Sequence, residues 1–290
     1  MAFLEYNPTQ TLYQFCSVES FRKIVASKVI WCTDLASAND PRELKLGFQH
    51  VLDAMTFVRE NEYKGSVGEF LEKIIAGLTS GSTRQQFFCA CFSLLNDALP
   101  MWREYGDNYR GVAVGFRPTA ITSMPGRIQR VKYLNPDIPE EFQKLVRDIA
   151  SEFDPDHSAN DIAYWAVASS SILGAVTALK HHTWEYEKEI RHVFAQVHAR
   201  PDNAIPMSRF DDGTPIGWEP PLSRHRGASL IDYKAFQFGR RKQGAYEFSR
   251  AIAQVVIGPR CELSIEETKS ELQRNGFEGV DVVKSDCEIR

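Results

Sequence analysis

The sequence lacks the motifs that identify several common protein classes. Its six cysteines contain no Cys-x-x-Cys pair, so a zinc knuckle is not expected. A glycine-rich phosphate loop is also missing. The segment Gly111–Gly115 lies within a predicted strand and has neither a third glycine nor a following helix. These absences disfavour a classical dinucleotide-binding fold.

Little in the sequence indicates a membrane segment or a general affinity for polyanions. The longest apolar stretch, Ile162–Leu179, is interrupted by Ser169–Ser171 and Thr177, and we expect it to form a buried helix. The N-terminus has no basic segment followed by an apolar core, which predicts a cytoplasmic protein with reduced cysteines. The formal net charge is -4, so contact with a nucleic acid would require a local basic patch.

The overall composition is that of a globular protein large enough for a full core. Of its 290 residues, 43% are hydrophobic and 25% are charged, and we predict a single domain over residues 1–290. Helical and strand patterns do not alternate regularly, which favours the α+β class. A helical insertion is expected at about 135–180, and a loop-rich region at about 200–250.

Local patterns predict several elements directly. Leu12–Cys16 and Val29–Thr33 read as strands, with a helix between them that Ser17 can cap. Asp40–Glu43 has the pattern of a helix start, with a cap, a proline and a glutamate in order. Further strands are predicted at Phe87–Ser93, Gly111–Phe116, Arg127–Tyr133, Glu189–Val197, Gln254–Gly258 and Val280–Val283.

The most informative stretch is Thr183–Arg191. In an extended strand, Glu185, Glu187 and Glu189 would lie on one face, where like charges repel. Such a face is stable when it is solvated, when a cation such as Arg191 matches it, or when it binds a ligand. The sequence therefore predicts either a solvated edge or a functional site.

Two other clusters have alternative interpretations. His181 and His182 are adjacent and face different ways in regular structure, so no metal site is expected. The basic clusters Arg224–Arg226 and Arg240–Lys242 are either solvated loop charge or a surface that contacts the phosphates of a nucleic-acid acceptor.

Several motifs, in this order, resemble the bacterial domain-of-unknown-function family 2971. They are Leu12–Ser17, Asn39–Pro41, Cys91–Ser93, Met101–Tyr105, Gly111–Phe116, Trp184–Arg191 and Val256–Pro259. The resemblance spans nearly the whole chain. One difference is that Gln14 stands where members of this family usually have His.

That family is in turn similar to the ADP-ribosyltransferase superfamily, which implies a split β-sandwich with helical insertions and NAD as the substrate. The resemblance implies that Glu189 is the catalytic carboxylate and that Glu187 positions or deprotonates the acceptor, although the two roles could be exchanged. Contacts with NAD are expected from Tyr13, Gln14, Phe15, Cys16, Ser17, Trp31, Trp102, Tyr105 and Arg191.

The activity implied by the resemblance is cleavage of the bond between nicotinamide and ribose. ADP-ribose would pass to a protein, to a nucleic acid or to water, as in an ADP-ribosyltransferase or an NAD glycohydrolase. A carboxylate near the 2′-hydroxyl stabilises the positive charge that develops on the ribose. One alternative is a nucleotide-binding or protein-interaction module without catalysis, and another is a metal-dependent nuclease or hydrolase.

Overall fold

The computed structural model describes residues 5–37, 43–79, 85–134, 140–156, 168, 171–197, 219–239 and 248–289. Helices and strands are mixed within these ranges, and most strand pairs are antiparallel, which confirms the α+β class. The more specific expectation of an ADP-ribosyltransferase-like split β-sandwich stays a prediction. The helix start at Asp40 and the basic cluster Arg240–Lys242 lie outside the described residues.

The described elements follow the chain in this order. The strands are β1 (Leu12–Cys16), β2 (Val29–Asp34), β3 (Gln85–Ser93), β4 (Val112–Phe116), β5 (Arg127–Arg130), β6 (Lys132–Leu134), β7 (Leu179–His181), β8 (Glu189–Val197), β9 (Leu222–Arg226), β10 (Ser229–Gln237), β11 (Ile252–Ile257) and β12 (Asp281–Lys284). The helices are α1 (Val18–Ser27), α2 (Glu43–Asn61), α3 (Gly65–Thr79), α4 (Leu99–Glu104), α5 (Pro118–Thr122), α6 (Glu140–Ser151) and α7 (Ile265–Arg274).

The large sheet is split beside its central strand, β3. Along one edge, β3 pairs with β8 over its whole length. Along the other edge it pairs with β2 at Phe88 and Cys89, and with β1 at Ser93. Between these contacts, within the described part of the chain, β3 pairs with neither strand. The sheet continues from β1 through β4, β11 and β12, and from β2 through β10 and β9, so a cleft opens between its two parts.

Helix α1 connects β1 to β2 across this cleft. The hydroxyl of Ser17 accepts a hydrogen bond from the backbone N–H of Ser20 at 3.2 Å, which confirms the predicted cap. Lys28 ends the helix in a left-handed conformation with φ of 56°. Phe21 and Val25 occur one helical turn apart and are fully buried against the sheet, so α1 is fixed over the cleft by its apolar face.

Two hydrophobic cores support this arrangement. The first lies along the sheet and includes Phe21, Phe88, Phe92, Phe116, Phe238 and Phe277. The second lies among α2, α3 and α6 and includes Met55, Phe70, Leu71, Phe142, Val146 and Val176. The strand β7 follows this helical core and pairs in parallel with β6.

Three sequence predictions differ from the structure. Residues 219–239 form the hairpin β9–β10, whose turn contains Gly227 with φ of 60°, where loops were expected. The predicted strand Arg127–Tyr133 is divided into β5 and β6, which belong to different sheets. The predicted helical region ends early, because Leu179–His181 is a strand.

Candidate functional site

A cavity of about 950 Å³ lies at the split in the sheet. Small-molecule sites usually have volumes of about 300–1,000 Å³, so this cavity can hold a large ligand. Its walls come from β1, α1, β2, β3 and the start of β8. Among the residues assigned from the sequence to catalysis or to NAD contact, those that line it are Tyr13, Gln14, Phe15, Cys16, Trp31, Tyr105, Glu187, Glu189 and Arg191.

The strand predicted at Glu189–Val197 is confirmed, but the acidic segment before it does not have the extended conformation that would place Glu185, Glu187 and Glu189 on one face. Residues His182–Glu187 form a 3-10 turn, Lys188 has a left-handed conformation with φ of 45°, and β8 begins only at Glu189. The prediction that three carboxylates share one face is therefore wrong. Glu185 is exposed, whereas Glu187 and Glu189 are each only 3% exposed and lie together at the cavity.

Two buried cations hold these two carboxylates. The ammonium of Lys180 donates to Glu187 Oε2 at 2.6 Å and to Glu189 Oε2 at 3.0 Å. Arg191 donates from Nε to Glu189 Oε1 at 2.7 Å and from Nη2 to Glu189 Oε2 at 3.2 Å. Its Nη1 also donates to the carbonyl of Thr177 at 2.9 Å. All four charged side chains are buried, so we call Lys180, Glu187, Glu189 and Arg191 the charged cluster.

Neighbouring polar groups fix the two carboxylates in place. The hydroxyl of Tyr105 donates to Glu187 Oε1 at 2.5 Å, and the hydroxyl of Ser93 donates to the backbone carbonyl of Glu187 at 2.6 Å. The backbone N–H of Glu189 donates to the hydroxyl oxygen of Tyr133 at 2.7 Å. The site therefore has little freedom before any ligand arrives.

The two carboxylates have opposite pKa shifts. Burial and the nearby charge of Glu189 raise the pKa of Glu187 to about 7, although Lys180 and Tyr105 act in the other direction. Burial also acts to raise the pKa of Glu189, but Arg191 and Lys180 outweigh it and hold this pKa well below its usual range. At neutral pH, Glu189 is thus ionised while Glu187 exchanges a proton, a division found in acid–base pairs.

The raised pKa of Glu187 predicts a pH-dependent stability. Between its ordinary pKa of 4.5 and about 7, the folded state holds a proton that the unfolded state has lost. This group therefore makes the free energy of unfolding fall as the pH rises through that range, by roughly 3 kcal/mol at most. We therefore expect the wild type to lose stability relative to Glu187→Gln as the pH rises from 5 to 8. Urea unfolding of both proteins at each pH measures this difference. A difference independent of pH would contradict the prediction.

Gln14 contributes an unsatisfied polar atom to the same cavity. Its Oε1 is buried and has no hydrogen-bond partner within the described residues. A buried acceptor without a partner costs about 1–3 kcal/mol, so such atoms are usually satisfied by water or by a ligand. Gln14 is therefore placed to accept a hydrogen bond from a molecule in the cavity.

Two cavity thiols, Cys16 and Cys91, and a neighbouring core thiol, Cys32, are poor nucleophiles in this setting. Burial raises the pKa of Cys16 to about 12. Cys91 is exposed at the cavity, where the nearby negative charge of Glu189 acts to raise the pKa of its thiol. Burial and Cys89 likewise raise the pKa of Cys32. Because the reactive form is the thiolate, these surroundings do not favour thiol chemistry at neutral pH.

Two of the residues expected to contact NAD, Ser17 and Trp102, are not among those that line the cavity. Ser17 caps α1, as described above. Trp102 is fully buried, packs edge-to-face on Phe15 with 4.7 Å between ring centroids, and donates its indole N–H to Asp97. The structure thus gives both residues structural roles instead, and Trp102 supports the cavity wall from behind Phe15.

Lys180 is the main functional candidate that the sequence interpretation missed. It was placed at the end of a predicted helix, whereas it lies in β7 and is 6% exposed. The available signal was indirect: closely spaced carboxylates need a nearby cation, and Lys180 precedes them in the chain. Spacing alone did not identify it, because its position depends on the pairing of β7 with β6.

Comparison with known protein families gives a match to part of the chain. Residues 101–192 match the family described as Protein of unknown function (DUF2971), a segment that runs from α4 into β8 and contains the whole charged cluster. The family resemblance is confirmed over this segment, while the likeness to ADP-ribosyltransferases stays a prediction. No curated protein and no solved structure matches the chain.

Across the described ranges, no three His, Cys, Asp or Glu side chains are grouped as a metal site would require. Within the same ranges, every helix is too short or too polar to span a bilayer.

Proposed function

We propose that this protein is an NAD-consuming enzyme of the ADP-ribosyltransferase type. It cleaves the bond between nicotinamide and ribose and passes ADP-ribose to a macromolecule or to water. The observation that carries this proposal is the presence of Gln14, from the first strand, and the ionised Glu189, from a late strand, on one cavity.

The cavity has the features that a dinucleotide requires. Its volume is near the upper end of the range for small-molecule sites. Tyr13, Trp31 and Tyr105 supply aromatic surface for planar rings. The free Oε1 of Gln14 can accept from a ribose hydroxyl or from the carboxamide of nicotinamide, so this side chain fits the substrate without carrying charge.

Glu189 supplies the electrostatic part of the reaction. When the bond to nicotinamide breaks, its electron pair leaves with the base and positive charge develops on the ribose. A carboxylate already fixed by Arg191 and Lys180 needs no reorganisation to stabilise that charge. Its buried position strengthens the interaction, because little water screens it.

Glu187 is placed to handle the proton of the acceptor. With a pKa of about 7, a substantial fraction is ionised at neutral pH and can accept a proton from an attacking hydroxyl, amine or water. Lys180 contacts both carboxylates and so couples the proton state of Glu187 to the field around Glu189.

A binding module without catalysis is favoured by one specific observation. Both oxygens of Glu189 already accept hydrogen bonds from Arg191, and Oε2 accepts a further one from Lys180. These cations offset part of the negative charge that would act on the ribose. On this alternative, the cavity holds a nucleotide and leaves it intact.

Turnover of NAD by the purified protein separates the two functions. The expected result is nicotinamide release, followed by chromatography, together with NAD binding in a calorimeter. Binding without release under varied pH and acceptor conditions would favour the module. If the protein neither binds NAD nor releases nicotinamide from it, the proposal for NAD is overturned altogether.

A further inference from the structure

A second group of cavity residues lies on β2 and on the hairpin β9–β10. Trp31 and Thr33 are two residues apart on β2, and Arg224 and Arg226 are two apart on β9, so each pair lies on one face of its strand. These four residues line the cavity, and Tyr233 of β10 pairs directly with Thr33. We call Trp31, Arg224, Arg226 and Tyr233 the Arg–Trp platform.

Arg224 contacts two aromatic rings and has one N–H group for which the described residues supply no acceptor. Its guanidinium carbon lies 5.0 Å from the ring centroid of Trp31 and 5.8 Å from that of Tyr233, and the two rings are 4.6 Å apart. Nη2 donates to the hydroxyl of Thr33 at 3.1 Å, whereas Nε is buried without a hydrogen-bond partner in the described part of the chain. This geometry leaves an N–H for an acceptor that the chain itself does not supply.

Arg224 also has no carboxylate partner among the described residues. The adjacent Arg226 adds a second, exposed positive charge. Burial and then the charge of Arg226 lower the pKa of Arg224. Two neighbouring guanidiniums beside an exposed indole are the combination that binds phosphates and planar bases.

We propose that the Arg–Trp platform binds single-stranded nucleic acid. The guanidiniums contact successive phosphates, and a base stacks on the surface of Trp31, which is 41% exposed. Within the described sheet, β9 is the terminal strand, so a polymer can continue past this edge beyond the cavity. Since the chain has a net charge of -4, binding depends on this local patch.

Trp31, Arg224 and Arg226 of the Arg–Trp platform line the same cavity as the charged cluster, so the bound nucleic acid would be the acceptor of ADP-ribose. This part of the proposal rests on the proposed function. The bond between nicotinamide and the ribose anomeric carbon breaks, and the electron pair leaves with nicotinamide. A hydroxyl or a ring nitrogen of the strand forms the new bond to that carbon. Its proton passes to Glu187, whose pKa of about 7 suits this transfer.

Fluorescence anisotropy with a labelled mixed-sequence DNA of about 12 nucleotides tests the binding. Arg226→Gln, at an exposed position, should reduce the slope of log affinity against log salt by about 0.7. Trp31→Ala should weaken binding roughly 5- to 150-fold, the effect typical of one stacked base, with little change in that slope. Arg274→Gln, which removes an exposed arginine away from this cavity, is the matched control and should change neither.

Two outcomes would overturn the proposal. One is DNA binding that Arg226→Gln and Trp31→Ala leave unchanged. The other is a wild type that does not bind the DNA. If Arg226→Gln then loses binding of ADP-ribose or inorganic pyrophosphate, the platform serves a free nucleotide instead. Glu189→Gln should keep its affinity for DNA, because Glu189 is not part of the platform. If the wild type binds the DNA but releases no nicotinamide from NAD, the proposed reaction is contradicted and the binding role of the platform remains.

Discussion

Replacement of Glu189 by Gln is expected to lower nicotinamide release from NAD by about 10²- to 10³-fold, the usual cost of losing one preorganised electrostatic group. The amide has nearly the same shape but cannot offer a full negative charge to the ribose. The effect should appear in kcat, because the charge on the ribose develops only in the transition state. Nicotinamide release at saturating NAD measures it.

Glu185→Gln is the matched control for this experiment. Glu185 belongs to the same turn, but its side chain is 61% exposed and pairs with Lys188 on the surface. We expect its rate to stay close to that of the wild type. Thermal unfolding and NAD binding should be measured for both variants, because Glu189→Gln also leaves Lys180 and Arg191 with a weaker partner and could change stability or binding. A folded, NAD-binding Glu189→Gln enzyme with the wild-type rate would exclude the assigned role.

Replacement of Arg191 by Met is expected to lower the free energy of unfolding by about 3–5 kcal/mol, the usual cost of breaking a buried ion pair from one side. Arg191 is 1% exposed, contacts both oxygens of Glu189 and also satisfies the carbonyl of Thr177. Met fills most of the space but leaves the carboxylate with Lys180 alone. Urea denaturation at pH 8, where both carboxylates of the folded site are mostly ionised, measures the loss.

Lys188→Met provides the comparison on the surface. Lys188 contacts Glu185 at 3.0 Å, a distance similar to those in the charged cluster, but both side chains are largely exposed. Exposed pairs contribute little, so the change should remain below about 1 kcal/mol. Equal losses in Arg191→Met and Lys188→Met would mean that burial does not amplify the interaction, contrary to our account.

The sequence predicted those parts of the fold that depend on neighbouring residues. The strand Leu12–Cys16, the cap at Ser17 and the helix after it have strong local signals, and the structure contains all three. The α+β class followed from the irregular order of such elements. Local signals do not predict which distant residues lie near one another. The family resemblance grouped Gln14 with Glu189, and both line the cavity.

The conformation around the carboxylates was not predictable from spacing. Alternating polar and apolar residues at 184–190 fit a strand, yet the chain forms a 3-10 turn that ends with a left-handed Lys188. The turn is stabilised by the buried contact of Glu187 with Lys180 and by the hydrogen bond from Ser93, both of which require the folded sheet. Tertiary contacts here override the local pattern.

The hairpin β9–β10 was missed for another reason. It lies in a region rich in Pro, Gly and Arg, whose composition resembles that of loops. Strand β10 also has no regular alternation of buried and exposed residues, because Ile231 on one face and Lys234 and Phe236 on the other are all buried. From the sequence, Arg224 and Arg226 could be solvated loop charge or a surface that contacts phosphates, and only the strand pairing places Arg224 beside Trp31 in the cavity wall.

The charged cluster comes from a single short segment, Lys180–Arg191, whereas the opposite wall of the cavity comes from the distant strand β1. Contacts within the segment close small loops, but its enclosure by β1 closes a long loop and carries a larger entropic cost. A nascent or partly folded chain thus holds the same carboxylates in water, where their proton affinities approach those of free side chains. The unusual acidity pattern is therefore a property of the finished tertiary structure and not of the segment alone.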